Sequence, residues 1–317
     1  MIRSFSAMDV AARLGEPACV VTIGNFDGVH LGHRELLSRT VALAEKRGLP
    51  AVAITFDPHP AEVLTENPPR FLFDTERRLE EMEELGIDAV VVLPFCRAMA
   101  AESAEVFCRR VFAEQLHAAE LVIGYDFRLG CDRAGADRIA SLGGWNLTTI
   151  APVMVGGQPV SSTRIRSVLA EGRLHDAAAM LGRPFSVRGE IVHGAGRGGP
   201  MLGFPTANLD IATRQAMVAP SVYATAARLV DRSSGRVVYG EWMRGMTSFC
   251  KNPTFGGSTL TLETNILDFE GDIYGRELEV CFLAELRKDR RFDGLEALKA
   301  QLCADRESRR ALPLLGE

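Results

Sequence analysis

The sequence predicts an α/β domain built on a mostly parallel sheet, followed by a small antiparallel β-barrel with a closing helix, and three observations carry that reading. Residues 1–183 alternate short apolar runs with segments of helical period; beyond Pro184 the texture changes to short β-branched and aromatic runs separated by turns; and 317 residues are too many for one ordinary domain. Alternation of the first kind buries a parallel sheet between two layers of helices, whereas strands in succession with one terminal helix make a small barrel. The boundary is placed after residue 183, giving domains of 1–183 and 184–317.

The first domain is organised around residues 20–33, VVTIGNFDGVHLGH. Val20, Val21 and Ile23 read as a buried strand, Gly24, Gly28 and Gly32 permit a sharp turn and close approach to a ligand, and a helix over 34–47 ends in Lys46, Arg47 and Gly48. His30 and His33 flank a glycine at that helix start. Both are placed to donate to one phosphate, assisted by unpaired N–H groups and the helix dipole, and simple helix capping is the competing role. Residues 51–56 form the next strand; Asp74 caps a helix with Leu79, Met82 and Leu85 at helical spacing that Gly86 ends; and 87–93 is again a strand. A helix over 102–116, strands at 121–123 and 147–150, and a helix capped by Ser161 or Ser162 complete the alternation. In such sheets ligands sit beyond the carboxyl ends of the strands.

Three further motifs fall at those ends. TFDPHP, residues 55–60, is a turn stiffened by Pro58 and Pro60 around His59, with Phe56 available as an aromatic wall. GYDFRLGCDRAG, residues 124–135, offers Asp126 as an acceptor for a heterocycle on a glycine-rich loop. SSTRIR, residues 161–166, brings hydroxyls to a helix start with Arg164 and Arg166 close behind. A stiff turn, a surface loop and a helix cap are the plain structural alternatives. Capping leaves the two arginines unexplained.

In the second domain, strands are expected over 185–192, 202–209, 222–230, 236–239, 259–269 and 278–283, with a closing helix over 292–302. Gly194, Gly196 and Gly199 satisfy GxGxxG, yet no helix follows and no acid stands at the ribose position, so a dinucleotide site is not expected. None of the lysines, Lys46, Lys251, Lys288 and Lys299, follows a glycine, which excludes a P-loop. What remains is a glycine-rich flap leading into PTAN. Thr206 and Asn208 alternate onto one strand face, where their oxygens suit a magnesium ion that keeps nucleotide and water ligands. Glu263, on the strand side shared with Thr261 and Asn265, is a carboxylate able to accept the proton of an attacking hydroxyl. A solvated edge strand is the plainer reading of all three.

Composition narrows the classes further. The net charge of −5 argues against a dedicated nucleic-acid binder, and seven scattered cysteines without a CxxC pair argue for reduced thiols over disulfides or zinc. The longest apolar run falls far short of a bilayer span, and the N-terminal segment has charges within its apolar stretch, so neither a membrane segment nor a secretory signal is expected. A cytoplasmic protein, monomeric or weakly homo-oligomeric, is the expectation.

In order along the chain, GNFDGVHLGH, TFDPHP, GYDFRLGCDRAG and SSTRIR resemble the Rossmann-like nucleotidylyltransferase (FMN adenylyltransferase) module of the bifunctional bacterial riboflavin kinase/FAD synthetase family. GFPTANL, NPTF, LETNILDFEGDIYG and LRKDRRFDGLEALKAQLCAD resemble its riboflavin kinase module, a six-stranded barrel. The resemblance implies riboflavin, FMN and ATP as substrates and Mg²⁺ as cofactor. It implies that Gly24, Asn25, Phe26, Asp27, Gly28, His30, His33, Ser162, Thr163 and Arg166 serve the phosphates of the adenylyl donor, with His30, His33 and Arg166 catalytic. It places Phe56, Pro58, His59 and Asp126 against the flavin. In the barrel, Gly194, Gly196, Thr206 and Asn208 would bind ATP, Thr206 and Asn208 the metal, Glu263 would be the base, and Arg287 would lie near the flavin. The chain departs from the pattern at Leu129, where an aromatic is common, and at Ser221, Cys250 and Asn265 in the barrel. Those barrel departures motivate one alternative, an FAD synthetase whose barrel binds flavin without phosphorylating it; a non-enzymatic flavin sensor that kept the fold is the other alternative.

Overall fold

The computed structural model describes residues 1–193, 204–233, 237–251 and 260–315. The chain divides into two compact units, Met1–Ser162 and Thr163–Glu317. In the first, six parallel strands, β1 (Ile2–Ser4), β2 (Cys19–Ile23), β3 (Ala51–Asp57), β4 (Ala89–Pro94), β5 (Ala118–Gly124) and β6 (Asn146–Ile150), lie in the order β1-β4-β3-β2-β5-β6. The runs CVVTI, AVAIT and AVVVL are buried throughout because helices cover both faces of a parallel sheet. Alternate residues serve opposite layers. Val21 and Ile23 pack with Phe107, Phe112 and Trp145, whereas Val20 packs with Phe26, Leu37 and Met82. The strand order reverses beside β2, so the crevice at its carboxyl end is the topological switch point where such sheets bind ligands.

Several boundaries differ from expectation. The helix expected from 34 begins at Leu31 and runs to Arg47, because His30 caps it three residues earlier. The first strand and the helix Ala7–Leu14 were not read from the sequence, although Ser6 and Gly15 cap that helix at its two ends. The helical stretch after 102 is a short α-turn, Ala104–Phe107, continuing as a π-helix, Cys108–Gln115.

The second unit begins with the helix that also contains Ser162 and continues through the helix Leu174–Leu181; a two-strand ribbon of β7 (Met154–Val155) and β8 (Gln158–Pro159) precedes it in the first unit. Its barrel strands are β9 (Ser186–Val192), β10 (Ala207–Asp210), β11 (Ser221–Asp231), β13 (Met243–Lys251), β14 (Leu260–Ile266) and β15 (Glu277–Arg287), with a two-residue β12 (Val238–Tyr239) hung on β11. All pairings are antiparallel, and β11 with β15 closes the ring, so six strands form a barrel. One strand was misassigned. The run expected at 236–239 supplies only β12, and the sixth wall is β13, whose MRGMTSFCK lacks a β-branched alternation and carries Gly245 in its middle. That glycine is required by packing: a Cβ there would stand 2.8 Å from the Thr225 hydroxyl. Inside the barrel, the buried hydroxyls of Thr225, Thr247 and Thr264 form a chain with O···O distances of 2.8 and 2.9 Å. The closing helix runs Leu295–Arg310, later and longer than expected.

Candidate active sites

The glycine loop after β2 is held in a strained but supported path. Phe26 and Val29 take positive φ (51° and 38°) with fully buried side chains, and Gly28 at φ 80° passes so close to Leu72 that a Cβ would approach it to 2.7 Å. Asp27 does not reach outward. Its Oδ1 accepts the backbone N–H groups of Leu72 (2.8 Å) and Phe73 (3.1 Å), which fixes the loop from beneath. Ser162 Oγ donates to the Asp27 carbonyl at 2.9 Å.

His30 is the N-cap of Leu31–Arg47, its Nδ1 accepting the His33 N–H at 3.3 Å. With Nδ1 accepting, a neutral His30 ring carries its proton on Nε2. Capping and phosphate donation are compatible roles of one imidazole, using its two nitrogens. The rings of His30 and His33 stack at 3.6 Å and 14°, with Phe26 edge-on to His33. Burial, then His30, then the Arg78 guanidinium push the His33 pKa well below its ordinary value, so this ring is neutral near pH 7. Its buried Nδ1 has no hydrogen-bond partner among the described residues.

Beside this loop opens a cavity of about 480 Å³, within the range of small-molecule sites. Gly24, Asn25, Phe56, Asp126 and Leu129 line it together with Phe95 and Phe107. Leu129 thus contributes apolar surface where an aromatic was expected. Pro58 and His59 are not among the lining residues. His59 caps the helix Pro60–Leu64, its Nδ1 accepting the Ala61 N–H at 3.1 Å while Glu62 reaches back to its own N–H. Thr163 and Arg166 lie on the helix Ser162–Ala170 and belong to the second unit, where Arg166 Nη2 donates to Thr163 Oγ1 at 3.3 Å. Sequence reasoning missed Arg78, which is 4% exposed and donates to the carbonyls of Asn25 and Phe56. An arginine in TERRLEEMEE reads as a solvated helix charge, and only the packing shows otherwise.

A cavity of about 350 Å³ lies on the barrel wall, lined by Thr206, Ser248, Glu263, Asn265 and Arg287 with Phe292, Leu298 and Leu302. Strand register gathers these groups from distant sequence: Asn208 pairs with Glu263, and Glu263 with Ser248. Paired residues point to the same side of a sheet, so Asn208 and Glu263 share a face. Asn265 donates from Nδ2 to the Pro205 carbonyl at 2.6 Å, fixing the segment just before Thr206. Arg287 donates from Nε to Asp305 at 2.8 Å and stacks over Phe292 at 5.3 Å. Neither Ser221 nor Cys250 has positive φ, so replacing glycine there imposes no backbone strain, and the Ser221 hydroxyl sits between Glu285 and the Arg287 carbonyl. Gly194, Gly196 and the NPTF segment, 252–255, lie outside the described residues.

A parallel-sheet unit with a histidine-bearing glycine loop at its switch point, joined in one chain to a barrel with a carboxylate-lined cavity, defines a two-module nucleotide-dependent transferase. Comparison with known proteins agrees. The FAD synthetase family model matches residues 14–164 and the riboflavin kinase model residues 181–312. Among relatives, the bifunctional riboflavin kinase/FMN adenylyltransferase of Escherichia coli strain K12 is 34% identical over 96% of this chain and 95% of its own. That of Pseudomonas fluorescens is 36% identical over 93% of each. A crystal structure titled macrolide-efflux protein, from Streptococcus pneumoniae, superposes with a TM-score of 0.85 at 31% identity, covering 98% of this chain and 99% of its own. No helix among the described residues is long and apolar enough to cross a membrane. The chain belongs to the bifunctional riboflavin kinase/FMN adenylyltransferase family.

Proposed function

We propose that the chain converts riboflavin to FMN in its barrel and FMN to FAD in its first module, each step using ATP. The observation that carries this is the presence in one chain of two cavities of ligand size, one in each unit, the first lined by Gly24, Asn25, Phe56 and Asp126 and the second by Thr206, Glu263 and Arg287. In the barrel, the ribityl 5′-oxygen attacks the γ-phosphorus, the bond to the β-bridging oxygen breaks, ADP leaves, and Glu263 takes the hydroxyl proton. The donor set Thr206 and Asn208 fits Mg²⁺, being hard neutral oxygens on the face shared with Glu263, and bound Mg²⁺ would neutralise phosphate charge there. Arg287, tied to Asp305, presents its guanidinium to the flavin end of the cavity.

In the first module, an FMN phosphate oxygen attacks the α-phosphorus of a second ATP and pyrophosphate leaves. His30 and the neutral His33 donate to the phosphate oxygens, the backbone of Gly24 to Gly28 wraps them, and the Ser162 hydroxyl adds a donor. Phe56 and Asp126 receive the flavin, one by apolar contact and one by hydrogen bonding. The boundary between the two modules lies after residue 183, where the texture of the sequence changes. A chromatographic assay of purified protein with riboflavin, ATP and Mg²⁺, run beside Glu263→Ala and beside reactions started from FMN, tests the reading. Wild type is expected to make FAD from riboflavin, and the variant only from FMN. A wild type that itself needs FMN has no working kinase.

A further inference from the structure

We infer that Arg78 is a positioning residue for adenylyl transfer, its guanidinium locking the phosphate loop to the flavin wall from inside the first unit. This rests on the adenylyl-transfer reading above. The parallel ladder between β2 and β3 ends at the pair Ile23 and Ile54, with one further bond from the Gly24 N–H to the Ile54 carbonyl at 3.0 Å. Beyond that point no backbone ladder joins the two chains, and the Thr55 hydroxyl makes a side-chain bond across them, donating to the Asn25 carbonyl at 3.3 Å. Arg78 takes over there. Nη1 donates to the Asn25 carbonyl at 2.7 Å and to Thr55 Oγ1 at 3.0 Å, while Nη2 donates to the Phe56 carbonyl at 3.3 Å and to Thr75 Oγ1 at 2.7 Å. Asn25 and Phe56 both line the cavity, one from each side of the cleft.

Only a planar fork with several donors reaches two backbones at once; an ammonium is a single point on a flexible stem. The site also bears the cost of a buried cation. Its immediate partners are neutral carbonyls and hydroxyls, and the carboxylates of Asp27, Asp57, Asp74 and Glu62 supply the compensating field from further out. A leucine at this position of Thr75–Glu84 would serve the core without that cost, so stability alone does not account for an arginine. Aligned geometry does: a displacement of about 1 Å between bound reactants costs about 10²-fold in rate.

The test uses the full chain with Arg78→Lys and Arg78→Met. In FMN adenylylation, kcat is expected to fall about 10²-fold in both variants while KM for ATP and FMN moves little. Riboflavin phosphorylation in the same preparations is expected to stay at the wild-type rate, and FMN-binding capacity by flavin fluorescence to stay complete. Wild-type kcat in either variant overturns the inference, as does a loss of kcat that merely tracks lost FMN-binding capacity, which is the mark of a structural role. A wild-type protein that fails to adenylylate FMN overturns the underlying reading instead, and the inference with it.

Discussion

The two cavities, each proposed to bring a flavin to ATP, are built by opposite constructions. In the parallel unit the proposed phosphate groups from Gly24 to His33 are neighbours in sequence, because one loop and one helix start at the carboxyl end of β2 supply them. In the barrel the groups come from Pro205, Ser248, Glu263, Arg287 and Asp305, and only strand register and one helix bring them together. The first site is therefore sensitive to loop path, and the second to register. A loop site survives errors elsewhere in the sheet; a register site depends on each wall strand being present.

The sharpest way to separate the two halves is Glu263→Gln. It should cut riboflavin phosphorylation about 10³-fold while leaving FAD formation from FMN at the wild-type rate, as read by chromatography of the flavins. His30→Ala should do the reverse on a somewhat smaller scale. Loss of an Nε2–H donor and of the helix cap is expected to slow adenylylation about 10²-fold and spare the kinase. If either change slowed both reactions alike, the two sites would not be independent. Gly28→Ala probes the loop path directly: positive φ and the approach to Leu72 should cost the first unit about 2 kcal/mol, seen as a lower urea midpoint for that unit alone.

The smallest effect is a pH dependence. His33 binds a proton less readily folded than unfolded, so below its ordinary value of 6.5 the unfolded chain takes up a proton that the native ring refuses. Stability of the first unit should then fall with falling pH, by at most about 1 kcal/mol per pH unit, and urea midpoints of His33→Asn should show a shallower fall. The barrel, with no such ring in its cavity, should lack this component.

Much of the parallel unit was legible because its signals are local. Gly48 ends a helix in the left-handed conformation, Asp74 caps one through its carboxylate, and the apolar runs of β2, β3 and β4 are strands whichever partner they take. The missed β13 and the overestimated β12 show the limit. MRGMTSFCK carries no period of its own, and its place is set by the neighbours Thr225 and Thr264 that Gly245 admits.

By itself, then, the sequence determined the family, the order of the two modules and the local turns and caps of the loops, since capping, glycine turns and apolar runs act over a few residues. Tertiary structure alone decided that Asp27 braces the loop through the N–H groups of Leu72 and Phe73, that His33 is neutral near pH 7, and that Arg78 is interior. Each of those depends on burial and on partners far away in sequence, 45 residues between Asp27 and Leu72 and 53 between Asn25 and Arg78. No local pattern encodes such a distance; packing does.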